Sequence, residues 1–536
     1  MTAHVDTFAR DHLPPKEQWP EFLFELPELQ YPARINCAAE LLDRRVAAGD
    51  GGRMCIRAPD FAWTYADLLE RANRIARVLV EDMGVVPGNR VLLRGANNPM
   101  MAACWFAIVK AGAIAVATMP LLRAKELTEI VTKAEVSHAL CDLRLAEELQ
   151  AARAACPTLH AVRHFHDSSP AGLEAAMAGK PARFDNADTA ADDTCLIAFT
   201  SGTTGKPKGT MHFHRDVLAA CDCWPKSTLR AEAHDIFIGS PPLAFTFGLG
   251  GILLFPMRIG ASTVLIEKAP PDLLLAAIAE FRATVCFTVP SSYRAMAAHA
   301  KEHDLASLRK CVSAGEALPA ATRKLWKEAS GIEIIDGIGA TEMLHIFISA
   351  DEAHSRAGAT GKPIPGYAAC VMDDEGKVLA PNTVGKLAVK GPTGCRYLAD
   401  ERQKNYVKDG WNYTGDAYLV DDDGYYVYQA RTDDMIISAG YNIAGPEVEG
   451  ALLAHPAVAE CAVIGTPDEE RGQLVSAFVV LREGQPQSAD LAKELQDFVK
   501  RTIAPYKYPR LLEFRKSLPR TETGKLQRFR LRKELE

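Results

Sequence analysis

The sequence lacks several features that would assign a protein to a class at once. Its 61 Lys and Arg against 68 Asp and Glu residues give a formal net charge of −7, and no stretch is strongly basic, which disfavours nucleic acid as a partner. No uninterrupted apolar run reaches the ~18 residues of a membrane span, since Lys110 and Gly112 interrupt the apolar segment at residues 99–117. The first eleven residues carry no signal-peptide pattern, and we expect a cytoplasmic protein.

The 13 cysteines also lack a recognisable framework. They are scattered singly, apart from Cys221 and Cys223, with no C-x-x-C pair and no His/Cys spacing typical of a metal site. An odd count without a framework favours reduced thiols. The sequence therefore gives no reason to assign them a metal.

What the sequence does contain is a regular alternation of helical and strand patterns. With 536 residues, 48% of them hydrophobic, the chain can form two or three domains. A strand pattern at residues 91–94 is followed by a helix at 100–110 and a strand at 114–117, and the rhythm continues through residue 389. This alternation predicts an α/β fold with mostly parallel sheets covered by helices.

The pattern changes near Arg431. Strand-like runs follow at 435–437, 461–464 and 476–481, with a helix opened by Pro446 and another at about 489–502, which indicates a small α+β domain. We place the boundary after Thr432, giving an N-terminal domain of residues 1–432 and a C-terminal domain of residues 433–536. An irregular arm of 36 residues, rich in proline and aromatic residues, precedes the alternating region.

One run carries the strongest chemical signal. Residues 200–209, Thr-Ser-Gly-Thr-Thr-Gly-Lys-Pro-Lys-Gly, follow an apolar stretch at 195–199 and precede a helical pattern around Val217. Glycines let backbone N–H groups approach phosphate oxygens, while hydroxyls, Lys206 and Lys208 add donors and positive charge. We predict a polyphosphate loop between a strand and a helix, without the Walker A spacing. The alternative is a flexible polar surface loop.

Five motifs, in order, resemble those of the adenylate-forming superfamily of acyl-CoA synthetases, peptide-synthetase adenylation domains and luciferases. They are the phosphate loop, a second core motif at 336–342 (Asp-Gly-Ile-Gly-Ala-Thr-Glu), a ribose motif at 413–416 (Tyr-Thr-Gly-Asp), a hinge at 431–434 (Arg-Thr-Asp-Asp) and a lysine motif at 519–525 (Pro-Arg-Thr-Glu-Thr-Gly-Lys). Residues 338–347 further resemble the aryl-CoA ligases that act on benzoate-type acids. The arm at residues 13–32 is most similar to that of 2-aminobenzoate–CoA ligases.

The resemblance implies a two-step reaction that uses ATP, Mg²⁺ and coenzyme A. A carboxylate attacks the α-phosphorus of ATP to give acyl-AMP and pyrophosphate, and the thiol of coenzyme A then displaces AMP to give a thioester. The implied fold adds a β-barrel-like part to the large domain and makes the small α+β domain mobile, with Asp433 as its pivot.

The resemblance also assigns roles to individual residues. The expected catalytic residues are Lys525, Thr341 and Glu342, and Glu342 is also the expected partner of Mg²⁺. The residues expected to contact the nucleotide or coenzyme A are Thr200, Ser201, Gly202, Thr203, Thr204, Gly205, Lys206, Gly315, Glu316, Ala317, Asp336, Gly337, Asp416, Arg431, Gly440 and Tyr441. Standing alone, Lys525 would be a solvated lysine, Glu342 a helix-capping acid and Asp416 a turn residue.

The pocket for the acid should be mostly apolar. Phe245 resembles the aromatic gate of the family, and the other candidate walls are Thr246, Phe247, Ile338, Gly339, His345 and Ile346. Thr246 is a candidate hydrogen-bond partner for an ortho substituent, whereas His345 is either a wall or a packed core histidine. Benzoate ligases usually carry alanine and tyrosine where this chain has Thr246 and Phe247, which favours a substituted ring.

Other functions stay open at this stage. An adenylation enzyme that loads a carrier protein is disfavoured because the sequence has no carrier-domain serine motif, and a non-catalytic ATP-binding protein is disfavoured by intact Lys525, Glu342 and Asp416. A ligase for another short carboxylic acid is a further alternative. The expected partners are a small aromatic acid and coenzyme A, with no nucleic acid or membrane. The lysine motif also resembles sites modified by lysine acetyltransferases, and a homodimer stays open.

Overall fold

The computed structural model describes residues 1–200, 207–438, 441–468, 471–520 and 526–535, and their side chains except those of Asp433 and Asn442. Within these ranges the strands form four sheets, two of them large and mostly parallel. The predicted α/β class is confirmed, as is the small α+β domain at the C-terminal end. The boundary after Thr432 stays a prediction.

The larger of the two mostly parallel sheets has nine strands among the described residues. In spatial order they are Lys362–Pro363, Ile346–Ser349, Ile334–Gly339, Lys310–Ser313, Val285–Thr288, Ile236–Gly239, Ser262–Val264, Met54–Ala58 and Phe61–Thr64. The six from Ile334–Gly339 to Met54–Ala58 run parallel, whereas the strands outside them pair antiparallel.

The second large sheet has the spatial order Ala161–Phe165, His138–Asp142, Arg90–Arg94, Ile114–Thr118, Thr194–Thr200 and Lys208–Phe213. Its first five strands are parallel, and the last pairs antiparallel with Thr194–Thr200. The residues predicted to form the phosphate loop therefore connect two paired strands, and the helix begins only at His214. The prediction that the loop lies between a strand and a helix is wrong. The register pairs Thr200 with Lys208 across the connection.

The two remaining sheets are smaller. One is antiparallel, with Ala368–Met372, Gly385–Lys390, Trp411–Val420 and Val407–Lys408 in spatial order and Tyr426–Arg431 paired to Trp411–Val420, and it forms the predicted barrel-like part. The other belongs to the C-terminal domain and contains Tyr441–Ile443, Ile436–Ser438, Gly472–Leu481, Val458–Asp468 and Leu511–Phe514. It packs its apolar face against the helices Gly445–Leu453 and Ala489–Thr502.

Helices cover both large sheets. The α-helices of the described residues are Phe8–Asp11, Arg44–Ala47, Tyr65–Arg77, Pro99–Lys110, Ala124–Lys133, Ala146–Arg153, Leu173–Ala178, His214–Asp222, Thr246–Leu249, Phe255–Ile259, Pro271–Phe281, Pro290–Ala297, Ala320–Ser330, Gln403–Tyr406, Gly445–Leu453, Ala489–Thr502 and Arg528–Lys533. No helix in the part of the chain described is both long and apolar enough to cross a membrane.

The helix Pro99–Lys110 shows how the core is built, because all of its residues are buried. Asn98 caps it by accepting a hydrogen bond from Met101 N at 2.9 Å. Lys110, which interrupts the apolar run, lies fully buried and pairs with Asp43. A buried charge needs such a partner.

The N-terminal arm crosses the surface of the barrel-like sheet. Leu23 N donates to Gly391 O at 3.0 Å, and Glu21 N donates to Gly410 O at 2.9 Å. Its aromatic residues surround the buried guanidinium of Arg396, which lies 4.9 Å from the ring centroid of Phe22 and 5.7 Å from that of Trp19. The arm is therefore packed through its aromatic side chains, as its composition indicates.

Candidate active site

Most of the predicted site residues lie where parallel strands of the nine-stranded sheet end. The strands Ile236–Gly239, Lys310–Ser313 and Ile334–Gly339 run in one direction, so their carboxyl ends meet at one edge. The segments that follow them contain Phe245, the 315–317 loop and the 341–343 turn, respectively. Carboxyl ends of parallel strands are the usual place for ligands in α/β sheets.

A turn of 3₁₀ helix, Thr341–Met343, carries two of the predicted catalytic residues. Three donors from other segments fix it. His212 Nε2 lies 2.8 Å from Thr341 O, Thr393 Oγ1 donates to Met343 O at 2.7 Å, and the Tyr397 hydroxyl donates to the Glu342 carboxylate. The turn is thus held rigidly between the second large sheet and the barrel-like region, as a preorganised site requires.

The residue after this turn has a strained backbone. Leu344 adopts φ +67° although it is neither glycine nor asparagine, and its side chain is 2% exposed. Such a conformation costs on the order of 1–3 kcal/mol and persists only where the surroundings enforce it. Strain of this kind is common at functional sites. Here the strained residue, Leu344, lies between Glu342 and His345 in the chain.

Glu342 is a buried carboxylate with a cation close by. Its exposure is 7%, and Lys208 Nζ lies 3.6 Å from its Oε1 and 3.0 Å from the Tyr397 hydroxyl. Burial, with Glu342 close by, raises the pKa of Tyr397 well above its usual range. Tyr397 therefore stays a neutral phenol that donates a hydrogen bond to the carboxylate.

His212 supports Thr341 as a neutral imidazole. Burial lowers its pKa to about 4, so at neutral pH one nitrogen carries the only ring proton. Because Nε2 faces the Thr341 carbonyl, that nitrogen donates the hydrogen bond. Nδ1 is buried and has no hydrogen-bond partner among the described residues.

The ribose-type motif brings Asp416 and Arg431 together on neighbouring strands, where they are register partners. Arg431 Nη1 donates to Asp416 Oδ1 and to Thr414 O, both at 3.0 Å. Burial raises the pKa of Tyr406, and the nearby carboxylates of Glu342 and Asp416 raise it further. Its ring is 5.7 Å from that of Tyr397. The Asp416–Arg431 pair and the turn that carries Glu342 are therefore neighbours.

The residues predicted to flank the adenine lie at the ends of two adjacent strands. Gly315 has φ +90°, and Gly337 approaches Ile346 so closely that an added Cβ would lie 2.8 Å from its Cδ1. Asp336 is buried, and its Oδ1 has no hydrogen-bond partner among the described residues. Burial raises the pKa of Asp336 to about 7.

The candidate acid pocket is an aromatic region around His345. The His345 ring lies 4.5 Å from that of Phe255, 5.6 Å from Phe247 and 5.8 Å from Trp224, centroid to centroid. Burial lowers the pKa of His345 to about 3, so the ring is neutral. Its Nε2 is 3.4 Å from Phe247 O, while Nδ1 is buried without a partner in the described structure.

The other predicted walls lie around this aromatic region. Thr246 and Ile346 are buried, Phe245, Phe247 and Ile338 are half-buried, and Gly339 is exposed. Gly339 pairs with Ile346 in the register of the two strands, and an added Cβ there would lie 2.8 Å from His345 O. Backbone contacts thus place Ile338, Gly339, His345 and Ile346 in one unit.

Several predicted residues lie outside the described ranges: Ser201, Gly202, Thr203, Thr204, Gly205, Lys206, Gly440 and Lys525. The side chain of the predicted pivot, Asp433, is also not described. Of the neighbours, Thr200 Oγ1 is buried without a described partner. Tyr441 is 55% exposed, and its ring stacks on that of Tyr506 at 4.6 Å. In the arrangement described, Tyr441 is thus directed to the surface.

The C-terminal domain contacts the large domain close to the site. Arg520 Nη1 lies 3.1 Å from Glu316 Oε1, and Arg520 pairs by backbone bonds with Leu526 across the lysine motif. Arg294 of the large domain donates to Ala459 O and Val458 O, both at 3.0 Å. The lysine motif is therefore anchored at one end beside the 315–317 loop.

The sequence did not identify Tyr397 or His212 as site residues, since neither belongs to a motif and each acts through a contact made by the fold. Lys208 was named from the sequence for its charge but not as a contact of Glu342, whereas Arg520 could have been singled out because it lies within the recognised lysine motif.

The comparisons with known proteins agree with this geometry. Residues 43–397 match the family model described as AMP-binding enzyme, and residues 447–525 match that of the AMP-binding enzyme C-terminal domain. The chain therefore belongs to the AMP-binding enzyme family, and within it to the acyl-CoA synthetases of the aryl-CoA ligase branch.

Three relatives illustrate the similarity. The benzoate–CoA ligase of Thauera aromatica is 35% identical over 94% of this chain and 97% of its own length. The anthranilate CoA ligase AuaEII, in its crystal structure with anthranoyl-AMP, is 35% identical to this chain in sequence. The two structures match with a TM-score of 0.91 over 95% of this chain and 99% of that one. The benzoate CoA ligase from Burkholderia xenovorans LB400 is 32% identical, with a TM-score of 0.84 over 93% of this chain and 100% of that one.

Proposed function

We propose that this protein is an ATP-dependent ligase that activates an aromatic carboxylate as acyl-AMP and then forms its coenzyme A thioester. One observation carries the proposal. The segment from Thr341 to Ile346 has its polar end beside Lys208, Tyr397 and the Asp416–Arg431 neighbourhood, and its other end inside an aromatic region. A nucleotide and a flat acid would therefore meet at one short segment.

The described residues suit the first step because that step brings two anions together. Two unit charges of like sign at about 4 Å repel by roughly 4 kcal/mol at an effective dielectric near 20. Lys208 supplies a cation 3.6 Å from Glu342, and Thr341 supplies a hydroxyl on a fixed turn. Lys525 is proposed to add a second cation, and Asp416 with Arg431 to bind the ribose.

Mg²⁺ fits the donor set of this site. It binds proteins through one or two carboxylates together with phosphate oxygens and water, and Glu342 offers a carboxylate on the rigid turn. When bound, the ion would neutralise charge that develops on the phosphate oxygens. The role of Glu342 is to hold it.

For the acid we propose a benzoate carrying an ortho hydrogen-bonding group, of which 2-aminobenzoate is the simplest. The relatives just described act on benzoate or anthranilate. In this chain, the buried Nδ1 of His345 offers an unused acceptor, and Thr246 offers a hydroxyl within the buried wall. An ortho amino group has N–H donors that either could accept, which benzoate lacks.

The function is tested by pyrophosphate exchange with Mg²⁺ and a panel of acids: benzoate, 2-aminobenzoate, hydroxybenzoates, phenylacetate and short fatty acids. The same panel with coenzyme A is scored by thioester mass. We expect exchange and a thioester with an aromatic acid. Exchange without thioester would favour carrier loading, and no exchange with any acid would refute the proposal.

The choice of acid is tested by Thr246→Val, which removes the hydroxyl at nearly constant volume. We expect kcat/KM for 2-aminobenzoate to fall about tenfold, the effect of roughly 1.4 kcal/mol, while kcat/KM for benzoate changes little. Equal losses on both acids would mean that Thr246 shapes the pocket without contacting the ortho group.

The role of Lys525 is tested by Lys525→Ala, with the exposed Lys516→Ala as the matched control. We expect Lys525→Ala to lose pyrophosphate exchange but to keep thioester formation from supplied acyl-AMP, and the control to keep both. Acetylation of Lys525 by a lysine acetyltransferase should mimic the variant, since it removes the same charge. An acetylated enzyme with full exchange activity would contradict that role.

We also propose a cytoplasmic location, which the 13 free thiols support, 12 of them buried. A homodimer stays a proposal that sedimentation would decide.

A further inference from the structure

A cluster of two thiols and one imidazole lies in the core, apart from the site described above. Cys37 comes two residues before the π-helical segment Ala39–Asp43, Cys195 lies in the strand Thr194–Thr200, and His214 opens the helix His214–Asp222. All three side chains are fully buried. Cys195 and His214 lie 158 and 177 positions after Cys37 in the chain, so sequence spacing could not reveal the cluster.

Two of the three distances between the potential ligand atoms are close to those of a tetrahedral metal site. The Sγ atoms of Cys37 and Cys195 are 3.9 Å apart, and Cys37 Sγ lies 3.3 Å from His214 Nδ1. With Zn–S near 2.3 Å and Zn–N near 2.0 Å, tetrahedral geometry requires S···S of about 3.8 Å and S···N of about 3.5 Å. All three ligand atoms lie within 4.8 Å of one another, so little movement would be needed.

The imidazole is in the form that a metal requires. Cys37 N donates a hydrogen bond to His214 Nδ1 at 3.1 Å, so the lone pair of Nδ1 faces Cys37 and the ring proton is on Nε2. That backbone hydrogen bond would be exchanged for the metal bond. His214 Nε2 is buried and has no partner among the described residues.

The charge balance selects a divalent cation. Two thiolates and a neutral imidazole carry a charge of −2, so a divalent ion leaves the buried cluster neutral, whereas Cu⁺ would leave it anionic in an apolar core. Thiolate and imidazole ligands also disfavour Mg²⁺ and Ca²⁺, which take oxygen. Among divalent ions, Zn²⁺ suits sulfur and nitrogen in tetrahedral geometry.

We propose that Cys37, Cys195 and His214 bind Zn²⁺ as its three side-chain ligands, with a water or the nearby His212 carbonyl in the fourth position. Cys195 Sγ lies 3.6 Å from that carbonyl oxygen. On binding, each thiol releases its proton to solvent and forms one S–Zn bond, with no change of oxidation state. The ion would tie three distant segments together, including the strand that ends at Thr200.

A disulfide between the same two cysteines is the competing outcome. The sulfur atoms would have to approach from 3.9 Å to about 2.05 Å. Oxidation and metal binding therefore predict different outcomes, since a disulfide would exclude the ion.

The test is the metal content of the untagged full-length protein after incubation with Zn²⁺ and gel filtration. We expect about one Zn²⁺ per chain, and a loss of at least tenfold in the double variant Cys37→Ser/Cys195→Ser. Cys104→Ser, a buried cysteine of the helix Pro99–Lys110, is the matched control and should keep its zinc. Thermal unfolding with and without Zn²⁺ should show a rise in Tm for the parent and the control only.

A second measurement does not depend on the folding of the variants. Metal-free parent protein is titrated with Co²⁺, which replaces Zn²⁺ and shows thiolate-to-metal charge-transfer absorption when sulfur is bound. We expect that absorption to saturate at one Co²⁺ per chain and to disappear when Zn²⁺ is added. A parent without the absorption, zinc retained equally by the double variant, or a Cys37–Cys195 disulfide found by peptide mass would each overturn the proposal.

Discussion

At the scale of single residues, one glycine decides whether the ribose-type motif can form. Gly415 has φ +78°, a conformation that residues with a Cβ rarely adopt. A Cβ added there would also lie 2.6 Å from Nη2 of Arg431, whose Nη1 donates to Asp416. The backbone strain and the displacement of Arg431 are separate effects, and a suitable control can separate them.

We therefore predict that Gly415→Ala raises KM for ATP about tenfold and lowers stability by about 1 kcal/mol. The control is Gly376→Ala, since Gly376 has a similar φ of +82° but its Cβ would meet only the Tyr413 hydroxyl, at 3.6 Å. It should lose similar stability at unchanged KM. Steady-state kinetics and thermal unfolding of both variants decide the matter, and equal KM values would contradict it.

Asp336 gives a prediction about pH. Burial raises its pKa to about 7, whereas an unfolded aspartate titrates near 4. Between these values the unfolded chain releases a proton that the folded chain keeps, so the contribution of Asp336 to stability falls as pH rises. The slope is about 1.4 kcal/mol per pH unit, and the total is about 4 kcal/mol.

We expect Asp336→Asn to gain stability relative to the parent as pH rises from about 4 to about 7, with little further change above that. The measurement is the urea midpoint or Tm of both proteins at several pH values, with the exposed Asp60→Asn as control. A difference that is constant with pH would show that Asp336 is ionised throughout.

At the scale of secondary-structure elements, the site depends on a contact between two sheets. His212 belongs to the strand Lys208–Phe213 of the second large sheet and donates to the turn Thr341–Met343 that follows a strand of the other. Removing this donor leaves a carbonyl unsatisfied, which costs about 1–3 kcal/mol when it is buried. His212 thus acts as a positioning residue, through Thr341.

We predict that His212→Phe lowers kcat for pyrophosphate exchange about tenfold or more, while KM for coenzyme A is unchanged. His212→Gln, whose amide N–H can take the place of Nε2–H, should recover most of the activity. If both variants lose activity in proportion to their loss of Tm, His212 has only a structural role.

The sequence predicted local elements better than the contacts between them. The helix at about residues 489–502 is found as Ala489–Thr502, and the strand pattern at 91–94 as Arg90–Arg94, because each shows its own periodicity. The strand Lys208–Phe213 was missed because it is short, contains Gly209, and is defined by pairing with Thr194–Thr200. Tyr397 was missed for a similar reason, since its hydrogen bond to Glu342 joins residues 55 positions apart.

At the scale of the whole molecule, the C-terminal domain contacts the large domain through Arg520 and through Arg294. Arg520 pairs with Glu316 of the predicted adenine loop and with Glu460 of its own domain. Arg294 meanwhile binds backbone carbonyls at the start of the strand Val458–Asp468. We propose that these contacts favour the arrangement in which the first step of the reaction occurs.

We predict that Arg520→Ala lowers the rate of pyrophosphate exchange about two- to fivefold, since a partly exposed ion pair contributes about 0.5–1 kcal/mol. Thioester formation from supplied acyl-AMP should not change. Arg515→Ala is the matched control, because Arg515 pairs with Glu513 and Glu534 within the C-terminal domain. Equal effects of Arg520→Ala on the two half-reactions would argue that the contact does not select an arrangement.

The aromatic rings around Arg396 have a practical consequence for anyone who shortens this chain. The guanidinium lies 3.8 Å from the centroid of Phe213 and is closed off on other sides by Phe22 and Trp19, while its salt bridge to Asp216 is fully buried. Removing the first two dozen residues would expose this ion pair to solvent, together with the aromatic rings that remain around it. The amino-terminal stretch should therefore be kept intact in any truncated version made for crystallisation.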